Sequence, residues 1–139
     1  MGKIGILSRL FGKKEVEQGF QELESELVKL QKKTSAEMIV ILGTGGRLKG
    51  LPLVYSAMDE NDMKRFSARL FELIGPVNNL SDQRIVRDFI INYQDSILFF
   101  KPILTNISFF ALYQNKDNLL DLKQWVYKKE ELMKNLFHE

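Results

Sequence analysis

Cysteine is absent from the 139 residues, which excludes disulfides, thiolate chemistry and Cys-based metal cages and suits a reducing compartment such as the cytosol. Histidine occurs once, as His138 beside the C-terminal Glu139. A Ser-His-Asp triad therefore has one poorly placed base, and a His/Cys metal site cannot be assembled. Neither charge sign dominates: 20 Lys and Arg against 18 Asp and Glu leave a net charge of +2, too small to call for nucleic acid as a partner. No apolar run is long enough for a membrane span or a signal-peptide core. Without such a signal, the sequons Asn79-Leu80-Ser81 and Asn106-Ile107-Ser108 read as chance. What remains is 45% hydrophobic and 27% charged residues in a chain of single-domain length, a composition that builds one packed core.

Residues 1–14 differ from the rest and form an expected N-terminal extension to a domain over residues 15–139. The charges of the extension are all basic: Lys3, Arg9, Lys13 and Lys14. As a helix it would carry Ile4, Leu7, Leu10 and Phe11 on one stripe, with Arg9 and Lys13 turned away. That pattern reads either as a short interfacial anchor for an anionic membrane surface or as a strap or tail of the domain, and Gly2, Gly5 and Gly12 weaken the helix in both cases. Myristoylation fits poorly, because position 6 is Ile6 in place of Ser or Thr.

Periodicity sets out the domain. Val16, Phe20, Leu23, Leu27 and Leu30 recur at spacings of four and three, the mark of an amphipathic helix over residues 15–33. Met38-Ile39-Val40-Ile41-Leu42 reads as a strand, and residues 51–55 pair with it across a glycine-rich connection. Pro52 places that second strand at an edge or near its start. Asp59 and Asp62 cap a second helix, expected over residues 60–74 and stopped by Gly75-Pro76. Its apolar face is Met63, Phe66, Leu70, Leu73 and Ile74, with Phe71 at the border, while Lys64, Arg65 and Arg69 lie on the other side. Aromatic and β-branched enrichment marks strands over residues 85–93, 96–104 and 107–114. Ile97-Leu98-Phe99-Phe100 and Phe109-Phe110-Ala111-Leu112 require cover on both faces. In the strand at 85–93, Arg84, Arg87 and Asp88 mingle with apolar residues, as at an edge that guards its pairing. The Lys116-Asp117-Asn118 turn is expected to cap a last helix with Leu119, Leu122, Val126, Met133 and Leu136 inward, widened by Trp125, Leu132 and Phe137.

Motifs for chemistry are missing. Gly43-Thr44-Gly45-Gly46-Arg47 is not followed by the Lys-Ser/Thr pair of a phosphate loop, and Leu48 stands where a dinucleotide fingerprint needs its third glycine, so a hairpin connection is expected. Carboxylate pairs such as Glu130-Glu131 and Glu22 with Glu26 sit on amphipathic helices, where solvated or ion-paired roles dominate. No enzyme activity and no cofactor are expected.

The element order α-β-β-α-β-β-β-α, with Gly50-Leu51-Pro52-Leu53-Val54-Tyr55-Ser56 as its second strand, resembles the Roadblock / dynein light chain family, whose second strand often runs from Gly-Leu-Pro through aliphatic residues to a serine. The resemblance covers residues 16–137. It implies an α+β three-layer sandwich of the profilin and longin kind: a five-stranded antiparallel sheet, the first and last helices on one face, the second on the other. It also implies dimers, with itself or another Roadblock protein, through third strands and second helices. Phe66, Leu70, Phe71, Arg87, Phe89 and Ile91 are then the interface candidates. Proteins of this resemblance commonly hold or regulate small Ras-like GTPases. Lys64, Arg65 and Arg69, chosen for exposure and charge, are the expected contacts on such a platform. The alternatives are a dynein-type assembly adaptor that touches no GTPase and a longin-like trafficking module peripheral to a membrane.

Overall fold

In the computed structural model the described residues are 14–138. They form α1 (Lys14–Thr34), β1 (Met38–Gly43), β2 (Pro52–Ala57), α2 (Glu60–Asn78), β3 (Phe89–Asn92), β4 (Ile97–Leu104), β5 (Ile107–Tyr113) and α3 (Leu119–Phe137). The strands make one antiparallel sheet in the order β2-β1-β5-β4-β3, so β2 and β3 are its edges. Ile4, Leu7, Leu10 and Phe11 lie outside the described residues, and among those described no helix is long and apolar enough to cross a membrane.

The sheet is buried on both sides, as the continuous apolar runs of β1 and β5 demand. On one face α1 and α3 cover Ile39, Ile41, Phe99, Phe109 and Ala111 with Phe20, Leu23, Leu27, Val126 and Phe137. On the other, α2 alone supplies Met63 and Leu70 against Met38, Val40, Phe100 and Phe110. Strand alternation sends odd-numbered residues of β1 one way and even-numbered residues the other, so one short segment feeds both cores.

Three local expectations hold and a fourth holds in part. Asp59 caps α2, its Oδ1 accepting from the Asp62 N–H at 3.1 Å. Pro52 opens the edge strand β2, where a missing N–H costs least. The glycine-rich connection is a hairpin loop, with Gly43 N–H donating to Leu51 O at 2.7 Å and Gly50 N–H to Gly43 O at 2.9 Å. The Lys116-Asp117-Asn118 turn ahead of α3 is a short 3-10 helix capped by Asn115, whose side chain accepts from the Asp117 N–H, while Asn118 stands at the N-cap of α3 without a side-chain bond to that helix. The Asn118 amide reaches across to Thr34 O at 2.9 Å and ties the start of α3 to the end of α1.

Two boundaries differ from the sequence reading. The second helix does not stop at residue 74 but runs through Pro76 to Asn78. Pro76 forfeits only the bond it would have given to Glu72 O, Gly75 has no Cβ to clash with the ring, and Asn79 N–H closes the last turn on Gly75 O at 3.0 Å. The third strand is not residues 85–93 but only Phe89–Asn92. It pairs with Ile97 to Phe100 and stops two residues short of Arg87, which in this register would have to face Pro102, a residue with no N–H to offer. Residues 84–88 leave the sheet there.

The loop that links β1 and β2 depends on Gly43. A Cβ built there would lie 1.8 Å from Leu48 O, because buried Leu48 folds back beneath the hairpin. At Gly46 the constraint is only its φ of +59°, with open space around it. Gly46→Ala should therefore cost about 1 kcal/mol for a left-handed L-residue. Gly43→Ala should exceed the ~3 kcal/mol that ordinary substitutions reach. Urea denaturation of both variants checks the order, and equal losses would show that Leu48 moves aside freely.

Candidate protein-binding surface

One helix cannot cover what two cover. A five-stranded sheet is roughly 19 Å across at about 4.8 Å per strand, whereas a helix with its side chains is about 10–12 Å wide. The face under α2 is therefore left half-covered at β3. Phe89 and Ile91 point to this side and remain partly exposed, and Phe89 stacks on Phe100 with ring centroids 4.7 Å apart. Along α2, Phe66 leans on Phe110 at 5.7 Å and is also half-buried, as are Phe71 and Ile74. The edge strand and the flank of the helix together make an apolar strip with no cover from the described residues of this chain.

The six interface candidates separate by position. Phe66, Phe89 and Ile91 border the strip, and Phe71 is half-buried where it faces Gly50 in the β1–β2 loop. Arg87 is exposed in the segment that precedes β3. Leu70 retains only 4% exposure and belongs to the core between α2 and the sheet, so it is a support for the surface and not a contact on it.

The three cations of α2 are all exposed but electrostatically unlike. Lys64 lies 3.7 Å from Glu60, and Arg65 bonds to Asp62, both on α2 itself. Such exposed pairs are worth little in stability, yet they weaken the field that a partner would meet. Arg69 has no carboxylate partner among the described residues. The sequence showed three equivalent positive charges; the i,i+4 and i,i+3 spacings to Glu60 and Asp62 were the available sign that two of them are neutralised locally.

Glu60 also accepts a hydrogen bond from the Tyr55 hydroxyl, which joins β2 to the first turn of α2. Burial, reinforced by that bond and the charge of Glu60, pushes the Tyr55 phenol up to about 12.

No protein-family model matches this sequence, and no curated protein sequence matches it. Solved structures do. The chain has the Roadblock/longin-like fold, the α+β sandwich with its five-stranded antiparallel sheet. It is similar to Myxococcus xanthus MglB with a TM-score of 0.70 at 11% identity, covering 85% of this chain and 89% of that one. A gliding protein, MglB, from Thermus thermophilus aligns with a TM-score of 0.67 at 10% identity, over 83% and 88% of the two chains. A Roadblock/LC7 domain from Streptomyces avermitilis aligns with a TM-score of 0.56 at 14% identity, over 73% and 92%. At these identities the shared property is the fold.

The Tyr55 shift fixes the sign of an alkaline effect. Between the ordinary phenol value of 10 and the folded value of about 12, the unfolded chain releases a proton that the folded chain retains, so stability present below pH 10 is lost as pH rises through that window. Tyr55→Phe should flatten part of this fall in Tm measured from pH 9 to 12. An unchanged pH profile in the variant would mean that burial and Glu60 do not raise the Tyr55 phenol in the folded chain.

Proposed function

We propose that the chain is a non-enzymatic adaptor that pairs with a second copy through β3 and α2, and that the paired α2 helices form a platform for a small Ras-like GTPase. The observation that carries the reading is the uncovered strip along Phe66, Phe89 and Ile91, flanked by an edge strand. A twofold partner would supply both missing elements at once: its β3 pairs with the open edge, and its α2 lies over the half of the sheet that one helix cannot reach. Support for self-association also comes from an MglB structure described as having a tetrameric arrangement, which aligns with 83% of this chain at a TM-score of 0.67. The GTPase partner follows from what Roadblock-like proteins commonly bind.

On this reading the chain acts by holding its partner. A GTPase can carry its own catalytic arginine, and a bound platform that orders the partner's switch segments alters its turnover without donating a residue. Arg69, exposed and without an ion-pair partner among the described residues, is the cation that offers the platform its strongest attraction.

Two variants test the reading separately. Ile91→Asp puts a charge into the strip and should raise the dissociation constant of the self-pair by at least about tenfold, roughly 1.4 kcal/mol. Sedimentation equilibrium reads this, and a wild-type chain that stays monomeric at high micromolar concentration would reject self-pairing. Arg69→Glu should leave that pairing and the Tm intact, within about 0.5 kcal/mol for an exposed site. It should slow association with the GTPase recovered by nucleotide-loaded pulldown from native extract. Recovery of assembly subunits and no GTPase would favour the dynein-type adaptor.

A further inference from the structure

Where residues 84–88 leave the sheet, a groove of about 720 Å³ opens between them, the last turn of α2 and the far end of β4. Its volume lies in the range of ligand-binding clefts. Among the described residues that line it are the cations Arg84, Arg87 and Lys101 and no carboxylate. Arg84 bonds to the Ser81 hydroxyl at 3.1 Å, and Lys101 to Arg87 O at 3.4 Å. None of the three side chains is ion-paired among the described residues. Unlike Lys64 and Arg65 on α2, they have no carboxylate in ion-pair contact among the described residues, although Asp82 and Asp88 flank the arginines in the chain, and a cleft with apolar walls concentrates the remaining field.

The backbone of the groove is also unfinished. Lys101, Pro102 and Leu104 pair with β5 on one side, with a register shift at Ile103, and no strand of the described residues lies on the other, because β3 reaches only as far as Phe100. Across the gap, residues 84–88 make no backbone hydrogen bond to any strand among the described residues. Ile85, 94% exposed, and nearby Leu80, 85% exposed, leave apolar surface beside these free polar groups. A β-strand edge with open hydrogen-bonding groups, apolar flanks and unbalanced positive charge matches the chemistry of strand addition by a negatively charged chain.

We infer that this groove is a docking site for an extended acidic segment of a partner protein, which adds as a short strand along residues 101–104 with its carboxylates toward Arg84, Arg87 and Lys101. The main chain supplies registry and affinity, and the three cations select acidic over basic segments. Pro102 withholds one N–H, so the added strand is bonded discontinuously and the charges decide whether it stays. The groove shares Ile74 and Arg87 with the flank of the proposed self-association surface, whereas residues 101–104 and Arg84 lie outside it.

The test uses the full chain and a fluorescein-labelled heptapeptide of alternating glutamate and valine, read by anisotropy. Binding should fall as salt rises, because the contacts are screened. Arg84→Glu with Arg87→Glu should weaken it at least about tenfold. Lys101→Glu, away from the β3 edge, should weaken it without changing self-association in the same samples. Lys64→Glu should have no effect. The same peptide N-methylated at alternate amides keeps its charge but cannot complete a ladder, and should bind at least about tenfold more weakly. Equal binding of the methylated peptide or of heptaglutamate would overturn strand addition. Unaltered binding in both groove variants would overturn the site. Capture of phosphatidylserine vesicles, lost in the groove variants, with no binding of the peptide would assign the basic patch to a membrane surface instead.

Discussion

The arrangement depends on an imbalance of cover: five strands carry apolar side chains on both faces, and the described residues supply two helices for one face and one for the other. Burial of each large side chain contributes about 1.5–3 kcal/mol, so a half-covered row is a standing driving force for association. On the two-helix face Phe20 and Phe137 meet edge to face at 5.0 Å, and Phe109 stacks on Trp125 at 5.6 Å, closing that layer from within the chain. On the one-helix face the aromatic row ends at Phe89, on an edge, half in water. The open strip follows from building a two-faced sheet with the three helices of the described residues, and the proposed self-association at β3 and α2 rests on it.

Charge then divides this region. Along α2, acidic residues one turn earlier neutralise Lys64 and Arg65, leaving Arg69 as the cation without a carboxylate partner among the described residues. Beyond the end of α2, Arg84, Arg87 and Lys101 have no such neighbours in ion-pair contact among those residues. A near-neutral total therefore conceals an uneven surface, since net charge averages over positions while a partner meets them locally. Pro102 links the two halves of this picture. It ends the β3–β4 ladder, which shortens the edge strand and releases the segment that carries Arg84 and Arg87.

Much of the architecture was legible in the sequence. The four-and-three spacing of α1 and the continuous apolar runs of β4 and β5 led to the helix faces and the two-sided sheet, because each is a direct imprint of burial. The third strand was overextended because residues 85–88 have the β-branched content of a strand, while the residue that denies them a partner, Pro102, is remote in sequence. Gly75-Pro76 reads as a helix stop in sequence, yet α2 continues to Asn78, because a single lost bond in a last turn is tolerable when glycine precedes the proline. The basic groove was missed for a related reason: Arg84 and Arg87 were read as guards of a strand, and Lys101 entered only through the fold. Of the candidate contacts, the sequence identified which residues are apolar or charged, but not that Leu70 is enclosed or that Lys64 and Arg65 already have partners.

The most direct measurement is amide hydrogen exchange in β3 as a function of protein concentration. If a second copy completes the sheet, protection of residues 89–92 should rise as concentration passes through the self-association range, while β1 and β5, enclosed by neighbouring strands on both sides, stay equally protected throughout. Exchange in β3 that does not change with concentration, in a chain that sediments as a monomer, would contradict the claim that this edge and its half-covered face are an interface between copies.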